Sequence, residues 1–243
     1  MNIICFLTLR PTKQFYDFCL TLIKNTYEIY ICIDDNTYNI PDIDEFNNRI
    51  KIIKINNELC ELSGYKDSVK YFPNKSCNRD KTLYYFNRIC PNINYENIWF
   101  IEEDVFVPNK DTIMNIDMKY TCDLLCRSHK VCSIEKELDS WNNWPYVFSK
   151  KITYPVAHSM ICAVRVSKKL MKCIDDFVNK EKRLLYSEVL FNHMAIHNNL
   201  SVITPKELSS ILYRYDWHKG EIKKDKLYHP IKDTNIHDKF RIN

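Results

Sequence analysis

The chain has almost no glycine: Gly64 and Gly220 are the only two in 243 residues. Glycine-rich phosphate loops need several, so that backbone N–H groups can close on the anion, and none is available here. This argues against a sugar nucleotidyltransferase, a class that opens on such a loop. Long apolar runs are also missing, and none approaches the roughly 20 residues of a membrane-spanning helix. Met1 to Leu7 has no basic flank and no small-residue cleavage site, and Thr8 and Arg10 soon interrupt it, so it reads as a first strand and not as a signal peptide. There is no basic tract either. Lys and Arg are mixed with acids, the formal charge is +4 and the pI is about 8.4, so a small anionic substrate is expected and nucleic acid is not.

Cysteine is plentiful, but its spacing excludes the obvious uses. Eleven is an odd number, and Cys5, Cys19, Cys32 and Cys162 fall in apolar runs where a thiol acts as a small hydrophobe, so all are read as reduced. Cys122, Cys126, His129 and Cys132 lack a CxxC knuckle and fall in a stretch that reads as strand, which throws alternate side chains apart. His193 and His197 are one helical turn apart, yet Met194 stands where a zinc protease carries its glutamate. Scarce glycine with abundant Asn, Ile and Lys points to an AT-biased genome, such as that of a large DNA virus or a protist. A soluble, cytoplasmic protein is expected, in the host cytoplasm if viral. With 45% hydrophobic residues, the length fits one domain over 1–243.

Periodicity predicts strands at Asn2–Leu9, Glu28–Ile33, Arg49–Ile55 and Asn97–Ile101, with helices at Lys13–Lys24 and Asp80–Ile89 between them. That alternation implies an α/β fold: a mainly parallel central sheet flanked by helices. Further on, Ile113–Met118 reads as a short helix, Asp123–Cys126 and His158–Val166 as strands, Ser167–Val178 as a helix capped by Ser167, and Ser187–His197 as another helix. Trp141–Phe148 reads as an aromatic loop that either stacks on a sugar or peptide or packs as a lid. The tail from Leu212 reads as irregular.

The most informative segment is Asn97-Ile98-Trp99-Phe100-Ile101-Glu102-Glu103-Asp104-Val105-Phe106-Val107. Three carboxylates inside an apolar run repel one another, and a shared divalent cation offsets that repulsion. Ligands of parallel sheets bind at the carboxyl edge of the strands. That edge would carry the loop Thr8–Thr12, the pair Asp34-Asp35 and the triplet. Glu188, at the start of an otherwise apolar helix, is the preferred general base, although such a residue also simply stabilises the helix dipole. Asp216 is the second choice for that role.

These residues resemble the GT-A class of glycosyltransferases, which hold a nucleotide diphosphate through a metal bound by an acidic DXD motif. Glu102-Glu103-Asp104 resembles a Glu variant of that motif, Asn78–Phe86 the basic helix start before it, and Asp34-Asp35 the acidic end of the second strand. The resemblance implies a GT-A-like fold, with residues 1–110 as the nucleotide-sugar half and 111–243 as the acceptor half and tail. It implies Mn2+ or Mg2+ on Asp104 and His229. Glu102 would reach the ribose or a metal-bound water, with Glu103 beside it. Arg79 and Lys81 would lie near the diphosphate, Thr8 and Arg10 at the nucleoside, and Lys232 at phosphate. Trp144 and His158 are grouped with the substrate. A nucleotide-sugar donor, of which UDP-sugar is the commonest, and a glycan, protein or small-molecule hydroxyl acceptor follow. The alternative is a non-catalytic glycan-binding or structural protein that keeps the fold.

Overall fold

The computed structural model describes residues 1–23, 27–40 and 49–242. Seven strands among them form one sheet: β1 (Asn2–Thr8), β2 (Tyr27–Ile33), β3 (Ile50–Ile53), β4 (Asn97–Glu102), β5 (Leu124–Leu125), β6 (Ala163–Ser167) and β7 (Val202–Ile203), in the order β3-β2-β1-β4-β6-β5-β7. β1 runs parallel to β2 and β4, β2 to β3, and β5 to β7, whereas β6 is antiparallel to β4 and β5. The expected α/β architecture, a mainly parallel central sheet flanked by helices, is the one observed.

β1 and β4 are apolar almost throughout because both faces are covered. Cys5, Leu7, Ile98 and Phe100 join one core with Leu83 of helix α3 (Asn78–Tyr84), Ile174 of α6 (Lys168–Glu181) and Phe191 of α7 (Ser187–His197). Ile4, Phe6, Trp99 and Ile101 join a second core with Phe15 and Phe18 of α1 (Lys13–Leu22) and Ile113 of α4 (Thr112–Asp117). Alternate side chains of one strand therefore glue helices to opposite faces and leave the strand ends free for polar groups.

Several boundaries differ from expectation for local reasons. The strand expected over His158–Val166 pairs only from Ala163, because Ser159 N–H donates to Glu188 O (2.9 Å) and His158 O accepts from Ser128 Oγ (3.1 Å). The helix expected from Asp80 starts at Asn78, since Asp80 Oδ2 caps it by accepting from Cys77 N–H (3.1 Å), and it widens into a π turn over Tyr85–Ile89. An unforeseen helix, α2 (Asn57–Leu62), is capped by Asn56, whose side chain accepts from Glu58 N–H (2.7 Å). The aromatic segment is helical from Trp144, in α5 (Trp144–Ser149), with proline in its first turn. The tail is more ordered than expected: it makes a 3-10 turn at Lys219–Glu221 and ends in α8 (Thr234–Phe240). β3 and β5 are shorter than expected, and Lys24, the expected end of the first helix, lies outside the described residues. Ser167 does cap α6, accepting from Leu170 N–H at 3.1 Å. No helix among the described residues is long and apolar enough to cross a membrane.

Candidate active site at the carboxyl edge of the sheet

The sheet register brings the three expected polar clusters to one edge. Leu7 pairs with Glu102 and Thr8 with Ile33, and the ladder runs on through Asp34 N–H to Thr8 O (2.9 Å) and Glu103 N–H to Leu7 O (3.0 Å). Side chains then close the edge. Thr8 Oγ1 bonds Glu103, Arg10 pairs with Asp35, Lys81 Nζ meets both Asp34 Oδ1 (2.9 Å) and its carbonyl (2.7 Å), and Arg79 Nη2 meets Glu102 Oε1 (2.7 Å). Helix α3 supplies Arg79 and Lys81 from the layer beneath, which is why both are buried while their partners reach solvent.

Protonation follows from this crowding. Burial lowers and the Glu102 carboxylate raises the Arg79 guanidinium, and the carboxylate wins, so Arg79 is held firmly charged. Burial, followed by the charges of Asp104 and Glu102, pushes Glu103 above the usual carboxylate range against its bonds to Thr8 and Leu9 N–H. Thr37 and Arg10 hold Asp35 down at about 2. The five carboxylates of this edge outnumber its three cations, Arg10, Arg79 and Lys81, by two, and one divalent ion balances that difference.

Donor atoms for such an ion are in place. One ligand atom each from Glu102, Cys162 and His229 lies within 4.8 Å of the others. Cys162 arrives through the reversal of β6: Ile101 pairs with Ala163, and one step further Glu102 N–H donates to Cys162 O at 2.8 Å. His229 arrives from the C-terminal segment, which is pinned where Phe106 and Tyr228 exchange N–H to O bonds (2.8 and 3.2 Å). His229 Nδ1 is 2.6 Å from Leu212 O, an acceptor, so Nδ1 carries a proton, and Nε2 is either a lone pair free for a cation in the neutral ring or an N–H facing the acceptor Asp104 Oδ2 at 3.5 Å in the protonated one. Burial lowers the imidazole pKa, but Asp104 outweighs it and the net shift is upward. Asp104, expected as the direct ligand, therefore stands beside the trio on His229, while Glu102, expected at the ribose, is a member of it. In the sequence Cys162 reads as a hydrophobe, since only strand register and a residue 67 positions away reveal its setting.

Glu188, in the first turn of α7, lies on the side of Arg79 and His158. Burial raises its pKa, and the nearby charges of His158 and Arg79 and the Tyr186 hydroxyl (3.4 Å) pull it back. Around it the aromatic segment is packed on itself: Trp141 stacks on His158 (centroids 4.1 Å, planes 9° apart), Trp144 is buried edge-on to the same ring, and Asp139 accepts from His158 Nε2 and Trp144 Nε1, each at 2.9 Å. Asp139, overlooked in the sequence because loop aspartates are common, thus orients both substrate-side candidates. Asp216 and Lys232 are both exposed and line a cavity of about 550 Å3 with Trp217 and Pro230, beside the point where Ile231 N–H bonds Asp104 O at 2.8 Å.

No family model and no curated protein matches the sequence. Among solved structures the chain is similar to the galactosyltransferase LgtC in complex with donor and acceptor sugar analogues, at 10% identity and a TM-score of 0.42, over 80% of this chain and 69% of that one. It is also similar to an active-site mutant of LgtC at 10% identity and a TM-score of 0.41, with the same coverage.

Proposed function

We propose that this chain is a glycosyltransferase that moves a sugar from a nucleotide diphosphate donor, a UDP-sugar in the first instance, to a hydroxyl on a glycan, protein or small molecule. The observation that carries this reading is the acidic edge itself. Carboxylates in excess of cations, a buried arginine 2.7 Å from Glu102 and a lone-pair-bearing imidazole converge where parallel strands end. Breaking the bond between a sugar and a nucleoside diphosphate concentrates negative charge on the leaving phosphates, so positive groups fixed there stabilise the transition state more than the ground state. Mn2+ or Mg2+ held by Glu102, His229 and Asp104 would supply most of that charge.

The chain's own residues do the rest. Arg79 and Lys81, already oriented by Glu102 and Asp34, face the diphosphate. Thr8, Arg10, Asp35 and Glu103 shape the nucleoside side of the edge. Lys232, on the segment that carries His229, covers the phosphates. Glu188 accepts the proton of the acceptor hydroxyl, and burial, by raising its pKa, makes it a stronger base than an exposed carboxylate. Trp144 and His158 form the wall against which the acceptor rests, and Asp216 is the reserve base. On this reading residues 1–110 bind the donor, 111–243 receive the acceptor, and the two halves act as one domain. The eleven free cysteines suit a reducing, cytoplasmic setting. The test is donor hydrolysis: with Mn2+, the protein should release nucleoside diphosphate from one member of a donor panel, and Asp104→Ala should abolish metal-dependent donor binding with the fold intact. Release from no donor, with or without acceptors, removes the enzyme reading.

A further inference from the structure

The donor trio contains an atom that a hard-ion site does not need. Resting on the metal reading above, we infer that Cys162 Sγ is itself a ligand of the bound ion, so that the centre prefers a thiophilic divalent ion such as Zn2+, Co2+ or Cd2+ to Mg2+. Three observations carry this. Cys162 sits one residue beyond the Ile101–Ala163 pair, directly across from Glu102, and cross-strand neighbours of this kind project to the same face. Backbone bonding fixes that position: Cys162 O accepts from Glu102 N–H at 2.8 Å, so the sulfur does not depend on a mobile loop for its place. The remaining donors are a carboxylate and an imidazole whose other nitrogen is anchored on Leu212 O.

An O, N, S set of this kind is unlike the all-oxygen octahedron that Mg2+ demands and matches what Zn2+ and its thiophilic neighbours take. Three buried thiols elsewhere in the chain are occupied differently. Cys60 donates to Tyr65 O (3.1 Å), Cys126 to Ser128 O (3.2 Å) and Cys132 to Glu137 O (3.2 Å), whereas Cys162 faces a carboxylate. A metal ion takes the thiolate, so its binding releases the Cys162 proton.

The experiment is a titration of the full chain with Co2+, reading the thiolate-to-cobalt charge-transfer band in the near ultraviolet, beside Mn2+ binding followed by electron paramagnetic resonance. The band should appear in the wild type and in Cys173→Ser and vanish in Cys162→Ser. Cd2+ affinity should fall about tenfold or more in Cys162→Ser, with Mn2+ affinity changing far less. In the wild type, which needs no variant to fold, Co2+ should protect Cys162 from alkylation by iodoacetamide, read by peptide mass spectrometry. Binding of Mn2+ and Co2+ with neither band nor protection overturns the sulfur ligand and leaves the metal reading standing. Failure to bind any divalent ion overturns both.

Discussion

Asp80 offers a sharp test of how the carboxylates near this edge are held. It is the third residue of α3, fully buried, and its Oδ2 accepts from Cys77 N–H at 3.1 Å. Burial lifts its pKa from 3.8 to about 7, with the Ser68 hydroxyl, Cys77 N–H and the Arg79 charge pulling the other way. Below pH 4 the group is neutral in both folded and unfolded chains and costs nothing. Between about 4 and 7 the unfolded chain ionises first, so stability falls as pH rises. Above 7 both are ionised, and the buried charge costs about 4 kcal/mol. Asp80→Asn keeps an oxygen for the Cys77 N–H and removes the charge. Relative to wild type, the variant should therefore gain about 3 kcal/mol between pH 5 and pH 8, because any constant cost of the exchange cancels in that comparison. Urea denaturation at one-unit pH steps measures it. A wild-type-to-variant difference that stays flat from pH 5 to 8 would refute the buried, shifted carboxyl.

The Lys81–Asp34 pair should be lopsided, since the lysine side chain is 0% exposed and the aspartate 29%. Asp34→Ala leaves the buried ammonium its carbonyl acceptor but no counter-charge and should cost about 3 kcal/mol in denaturant unfolding, while Lys81→Met removes the buried charge itself and should cost much less; equal losses would contradict this. Glu188→Gln should lower kcat about 10²–10⁴-fold and abolish the acid limb of the pH–rate profile, a limb that in the wild type lies above the usual carboxylate range because burial raises this group; a retained limb would exclude Glu188 as base. Saturating Mn2+ should raise the melting temperature, by the equivalent of about 3 kcal/mol at a hundred times Kd, and His229→Ala should erase most of that gain. The gain should also shrink below the raised pKa of His229, where a proton occupies Nε2.

Much of this architecture is visible in the sequence because its signals are local. β1, β2 and β4 are long apolar runs, and the Glu102–Asp104 triplet ends the last of them, so both the sheet and its polar edge follow from adjacent residues. The Ser167 cap and the Ser187–His197 helix are equally local. What escapes is set by distant partners. The segment 158–162 has strand composition, but its backbone is claimed by Ser128 and by the start of α7. α2 is only six residues long, too short for periodicity to speak. Cys162 looks like any thiol in an apolar run until the antiparallel register sets it opposite Glu102, and Asp104 looks like the central ligand until His229 folds down beside it.

The imidazole of this pocket is delivered by a strap that joins the sheet late in the chain. His229 N–H donates to Ser210 O at 3.1 Å, Leu212 O holds its ring, Tyr228 zips to Phe106, and Ile231 N–H reaches Asp104 O at 2.8 Å. Every anchor but two lies more than a hundred positions upstream, and such distant closures form slowly. A chain cut after residue 212 would contain all seven strand segments, yet it would lack the His229 imidazole beside Asp104 and the Tyr228 partner of Phe106. Completeness of the polypeptide is thereby coupled to competence of the pocket, and an ion that grips His229 would in turn fasten the strap to the sheet.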